Sequence, residues 1–273
     1  MQKFKLTTHT KKLLADTVTP VNIYLKLRDV FAGSILLESS DYHGHENSLS
    51  FICCDPIASF EVMDKKATIT FPDGSQLNDP VKEVGQVTTL LEEFRNSFDV
   101  ETLNDKIPGS GLFGYIGYDS VQYFEEVTIN QKHQRIPEVL YKFYRYVIVV
   151  DQFFNELSLF EHVYNTEATS SLDRIEQLIF SNRISTYKFS QVGEEESNFT
   201  DEEFKKIVEK GKEHCYRGDV FQIVLSRRFE CGFKGDEFNV YRALRSINPS
   251  PYLFYFDYGN FKLFGSSPEA QLQ

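Results

Sequence analysis

The chain has no tryptophan, so its aromatic content rests entirely on 25 Phe and 15 Tyr. No apolar run approaches the length that spans a bilayer, and Met1 to Thr8 carries no apolar signal-peptide core. Neither a transmembrane anchor nor a secretory leader is expected from these residues. Cysteine is scarce: Cys53, Cys54, Cys215 and Cys231 show no CxxC spacing, and neighbouring cysteines rarely pair with each other. A disulfide framework is excluded, and buried free thiols in a reducing, cytoplasmic setting are expected. Positive charge is also short. Twenty-nine Lys and Arg against 40 Asp and Glu leave a net charge of −11, which excludes nucleic acid and an anionic membrane surface as primary partners. There is no Gly-x-Ser-x-Gly elbow, and His9, His133, His162 and His214 are scattered without a nucleophile to serve.

What is present is a mixed series of strands and helices. Ser34 to Leu37 and Ser50 to Cys54 read as strands around a polar loop, and Ala58 to Met63 with Ala67 to Phe71 reads as a hairpin before the turn Pro72-Asp-Gly74. Val87, Leu90, Leu91 and Phe94 fall on one face of a helix within 84–98. Tyr144 to Asp151 and Leu157 to Tyr164 read as strong strands, and Leu172 to Ile184 as a helix. Thr200 and Glu203 form a capping box ahead of the stripe Phe204, Ile207, Val208, Gly211 and Cys215, and Gly218 ends that helix. Val220 to Phe229 alternates like a strand, with Gln222, Val224, Ser226 and Arg228 on one face. Leu253 to Asp257 and Phe261 to Phe264 pair as a hairpin across Tyr258-Gly-Asn260. The class is α+β with mostly antiparallel sheet. Residues 188–198, with three successive glutamates, read as a linker between a region 1–187 and a second region 199–273.

Two tempting motifs are weak. Gly109-Ser-Gly111-Leu-Phe-Gly114 matches GxGxxG, but a polar stretch precedes it instead of a buried strand, so close packing under aromatics is the better reading. His43 and His45, near Asp41 and Glu46, lack the third and fourth ligands that zinc requires.

Three longer motifs carry more. Gly218-Asp-Val-Phe-Gln-Ile-Val-Leu-Ser-Arg227, Asn248-Pro-Ser-Pro-Tyr252 and Gly265-Ser-Ser-Pro-Glu269, in that order, closely resemble the chorismate-utilising enzymes. With Leu36-Leu-Glu-Ser39 the chain looks like the large component of anthranilate synthase; aminodeoxychorismate synthase component I, of the folate branch, and a non-catalytic amino-acid-binding module are the alternatives.

The resemblance implies a set of expectations. The fold is part of an α/β/β/α layered architecture, and the hairpin near Glu269 sets up a second half, so the chain reads as an N-terminal portion. The activity is a lyase reaction that makes anthranilate and pyruvate from chorismate, with ammonia from a glutamine amidotransferase subunit. Mg²⁺ is required in the full-length enzyme, with none expected in this portion, which lacks the family's metal-binding glutamates and catalytic residues. Gln222 and Glu269 are candidate chorismate-cleft residues. Relatives that add water carry a Lys at the position of Gln222, whereas ammonia is a competent neutral nucleophile and suits an amide. Feedback inhibition by tryptophan, the pathway product, maps onto Glu38, Ser39, Pro251, Tyr252 and Leu253. Ser48 and Cys53 depart from the Arg and Gly common around that strand in relatives.

Overall fold

The computed structural model describes residues 3–39, 49–100, 107–129, 136–164 and 169–269. Along the chain run β1 (Phe4–Leu14), α1 (Pro20–Leu27), β2 (Ile35–Ser39), β3 (Leu49–Met63), β4 (Lys66–Thr70), β5 (Gln76–Pro80) and α2 (Gln86–Asn96). Then come β6 (Phe98–Val100), β7 (Leu112–Ile116), a 3-10 turn at Tyr118–Tyr123, β8 (Val139–Asp151), β9 (Glu156–Val163) and α3 (Leu172–Ile179). The last elements are β10 (Phe189–Ser197), α4 (Asp201–Arg217), β11 (Phe229–Gly235), α5 (Phe238–Ile247), β12 (Tyr252–Asp257) and β13 (Lys262–Ser267). The class is α+β, as expected. Two compact units emerge: residues 1–186 with 243–273, and residues 187–242.

The first unit is built on one sheet with strand order β13-β12-β2-β3-β8-β9-β1-β6; β4 and β5 extend from β3, and β7 pairs with β8. Every pairing is antiparallel except β1 with β6. Local chemistry sets the turns. Asp64 and Lys65 both sit at positive φ between β3 and β4, the two-residue hairpin geometry whose twist matches that of its strands. Pro56 lies where the β3–β8 register shifts, next to Asp55 at positive φ, which is where a strand tolerates proline. Between β8 and β9 the Asp151 carboxylate accepts from the Phe153 and Phe154 amides, both at 3.0 Å.

Two apolar clusters hold this unit. In one, Val87, Leu90 and Phe94 of α2 pack over Phe4, Phe60, Ile69, Val139 and Phe143. In the other, Ile35, Cys53, Tyr144, Val147, Val149 and Phe160 pack with the half-buried Phe51, Phe113 and Phe254. α1 begins at the Thr19 cap with Pro20 in its first turn, the position where a missing amide proton costs nothing. It packs on β2 and β3. Its Lys26 Nζ donates to the Ile179 carbonyl at 2.6 Å, satisfying an orphan acceptor at the end of α3.

The glycine run resolves as packing. A Cβ on Gly109 would overlap the Phe160 ring, and one on Gly114 would overlap the Leu140 carbonyl oxygen. Gly109 also supplies a carbonyl to His162, which is buried, with Nε2 2.9 Å from that oxygen and Nδ1 3.0 Å from Thr8 Oγ1. A carbonyl only accepts, so Nε2 carries the proton and Nδ1 accepts from the Thr8 hydroxyl.

Burial holds the His162 imidazole below its ordinary value of 6.5. As pH falls through 6.5 the unfolded chain takes up a proton that the folded chain refuses, so stability falls with it. We expect urea midpoints measured from pH 7.5 down to pH 5 to decline, and to decline less steeply in a His162→Gln variant. Equal slopes in the two proteins would contradict this.

The second unit pairs β10 with β11 antiparallel and carries α4. The capping box forms as expected: Thr200 accepts from the Glu203 amide, the Glu203 carboxylate accepts from the Thr200 amide, and Gly218 closes the helix in the left-handed conformation. Several expectations are corrected. Residues 188–198, read as a linker, contain strand β10, whose side chains are all exposed and whose backbone pairs with β11. The strand expected over 220–229 does not form, and regular pairing begins only at Phe229. A strand needs a ladder partner, and within this unit β10 pairs only from Phe229 onward. The helix expected over 172–184 stops at Ile179. Of the four thiols, Cys53 and Cys54 are buried, but Cys215 and Cys231 are exposed.

Candidate functional site

The first unit contains a concave cavity of about 940 Å³. Its floor is the β2–β12 ribbon, where the register sets Ser39 opposite Tyr252, Glu38 opposite Leu253 and Leu37 opposite Phe254. Leu49 and Phe51 of β3, Leu263 of β13, Gly114 to Ile116 of β7 and the adjoining Gly117 supply the walls. Two sequence segments at opposite ends of the chain thus become neighbouring strands.

Four of the five residues expected to hold the inhibitor border this cavity: Glu38, Ser39, Tyr252 and Leu253. Pro251 does not line it and instead sits half-buried just ahead of β12. Residues opposite each other in an antiparallel pair share a face, and the face alternates along each strand. Leu37, Ser39, Tyr252 and Phe254 therefore share the face of Phe51 and Phe256, while Glu38 and Leu253 share the opposite face with Leu36 and Tyr255. That opposite face is the helix-covered one, where Tyr24 of α1 meets Tyr255 edge-on at 5.6 Å between centroids.

The Glu38 side chain is 2% exposed, and its Oε2 lies 3.1 Å from Nε of Arg245 on α5. Sequence reading missed Arg245, since nothing in a linear pattern links an Arg in one helix to a Glu in a distant strand. It also missed Phe51 and the β7 wall, although the glycine spacing at Gly114 and Gly117 was a usable signal. Ser266 Oγ donates to the Asn248 carbonyl at 2.7 Å, tying the loop before β12 to β13.

Gln222 and Glu269 are not brought together within either unit. Gln222 lies in the second, exposed on the irregular segment before β11; Glu269 is exposed at the end of the first, its carbonyl accepting from Ser267 Oγ at 3.1 Å. Expecting Gln222 on a strand face assumed the ladder that does not form. Ile223 and Leu225 of the same segment instead lie against α4 at Gly211, where a Cβ would press on Leu225. His43, His45, Asp41, Glu46 and Ser48 lie outside the described residues. Among the described residues no group of three or more His, Cys, Asp or Glu could hold a metal ion.

The family model for chorismate-binding enzymes matches residues 33–273. The chain belongs to the chorismate-binding enzyme family. Among its relatives within that family is anthranilate synthase component 1 of Aquifex aeolicus, 32% identical over 94% of this chain and 54% of the relative. The protein of the same name from Lactococcus lactis is 29% identical over 95% of this chain and 57% of its own length. The crystal structure of anthranilate synthase component I from Streptococcus pneumoniae superposes with a TM-score of 0.58 at 21% identity, covering 95% of this chain and 57% of that one, a likeness of fold. This chorismate-binding family member thus spans about half the length of the relatives it matches.

Proposed function

We propose that the chain is the amino-acid-sensing portion of an anthranilate synthase large component. The parent enzyme converts chorismate and ammonia to anthranilate and pyruvate, ammonia coming from a glutamine amidotransferase subunit, and tryptophan inhibits it from the β2–β12 cavity. The setting is cytoplasmic. No described helix is long and apolar enough to cross a membrane. In the parent, Mg²⁺ would act on the chorismate carboxylate, and Gln222 with Glu269 would border the chorismate cleft.

One observation carries the reading: the Leu37–Ser39 segment and the Tyr252–Phe254 segment are register partners on the floor of a single cavity. The chemistry suits an amphipathic amino acid. Phe51, Phe254 and Phe256 offer an apolar wall for an indole, and Tyr252 and Ser39 place polar groups on the same face at its rim. The relatives' shared name supports the same assignment.

Isothermal titration of L-tryptophan into the protein, beside a Ser39→Ala variant, tests it. Saturable binding by the wild type and a loss of about tenfold in the variant is expected, the ~1.4 kcal/mol of one hydroxyl hydrogen bond in a partly dry site. No binding by the folded wild type would sink the regulatory reading and leave only the family.

A further inference from the structure

The pocket face and the Glu38 carboxylate point in opposite directions, and that separation gives Arg245 a role. Glu38 belongs to the same short strand as Ser39, yet alternation sends its side chain to the helix-covered face, beside its cross-strand partner Leu253. There it is almost wholly withdrawn from water, at 2% exposure, with Arg245 Nε at 3.1 Å from Oε2; the Arg245 side chain is 45% exposed. A carboxylate so buried requires a compensating cation. Arg245 stands on the last turns of α5, immediately ahead of the Asn248-Pro-Ser-Pro segment that leads into β12. The ion pair therefore joins the C-terminal end of β2 to the helix that delivers β12. Both strands carry their ligand-facing residues, Ser39 and Tyr252, directly beside this tie. Ser266 braces the same loop from β13 through the Asn248 carbonyl.

We infer that Arg245 is a positioning residue of the amino-acid site: by holding Glu38 beneath the ribbon, it fixes the spacing of Ser39 and Tyr252 above it. The guanidinium acts through Glu38 and not on the ligand, since Arg245 is absent from the cavity lining. The inference rests on the tryptophan reading of that cavity.

The test is calorimetric titration of L-tryptophan into the wild type, Arg245→Gln, Arg245→Lys and the double variant Glu38→Gln with Arg245→Gln, each with its Tm. The expected result is a loss of affinity of at least tenfold in Arg245→Gln. Arg245→Lys should lose at least threefold with its Tm within a few degrees of wild type, because an ammonium cannot reproduce the geometry of a guanidinium. A merely structural Arg245 would behave otherwise. It would lower Tm and the fraction of competent protein, hence the stoichiometry, while folded molecules kept the wild-type Kd. The double variant, with no buried charge to strand, should fold and still bind at least tenfold more weakly than wild type. Should Arg245→Gln fail to fold, the Lys and double variants decide. Any folded variant of this set binding within twofold of wild type overturns the inference while the tryptophan reading stands. A wild type that does not bind tryptophan overturns both.

Discussion

Replacing Gly114 by alanine should lower the stability of the first unit by about 3 kcal/mol and abolish ligand binding in its cavity. Gly114 lies at the centre of β7, opposite Tyr141 of β8. A Cβ there would overlap the backbone carbonyl oxygen of Leu140, which has no rotamer with which to move aside. Relief requires β7 to lift from β8, breaking ladder hydrogen bonds and shifting the cavity wall formed by Gly114 to Gly117. Gly111, in the same glycine run, is the internal control. A Cβ there meets only the Phe113 ring at 3.8 Å, so Gly111→Ala should leave stability within about 1 kcal/mol of wild type. Urea midpoints for the two variants read the contrast directly. Similar midpoints would mean that β7 does not depend on backbone contact at Gly114.

The second large effect is expected at Phe94, with the opposite signature. Its side chain is fully buried, and its ring lies 5.9 Å from Phe60, 6.2 Å from Phe71 and 5.0 Å from Phe98, centroid to centroid. It is the point at which α2 enters the sheet. Phe94→Ala should cost about 3–5 kcal/mol, the usual range for emptying an aromatic site in a core. Phe94 belongs to the α2 cluster, whereas the cavity is floored by the β2–β12 ribbon and the other cluster. Folded Phe94→Ala protein should therefore bind tryptophan within twofold of wild type, even though it unfolds at much lower denaturant. Chemical denaturation followed by titration in buffer checks both halves. A large loss of affinity in the folded variant would show that the two clusters are not independent.

How legible these features were follows from their physical range. The α2 stripe Val87, Leu90 and Phe94 was visible because helical periodicity is local, and the same holds for the capping box at Thr200 and Glu203. The hairpins β3–β4 and β12–β13 were visible because a turn and two alternating runs lie in one short window. The segment 220–228 failed for the complementary reason. Alternation describes side chains, but a strand also needs a neighbour's backbone, which no window reveals. Strand β10 was missed over three glutamates because a strand exposed on both faces shows no apolar alternation.

The candidate site divides along the same line. Sequence alone determined the family-level resemblance, the α+β class and the two segments, Leu36 to Ser39 and Asn248 to Tyr252, on which the site is built, because each is written in contiguous residues. Tertiary structure alone decided that the two segments meet with Tyr252 opposite Ser39, that Ser39 and Tyr252 face the cavity while Glu38 and Leu253 face the helices, and that Arg245 pairs with Glu38. Facing is fixed by which strand pairs with which and in what register, and a shift of one residue would exchange the two faces. That choice is made by the packing of the whole sheet against its helices.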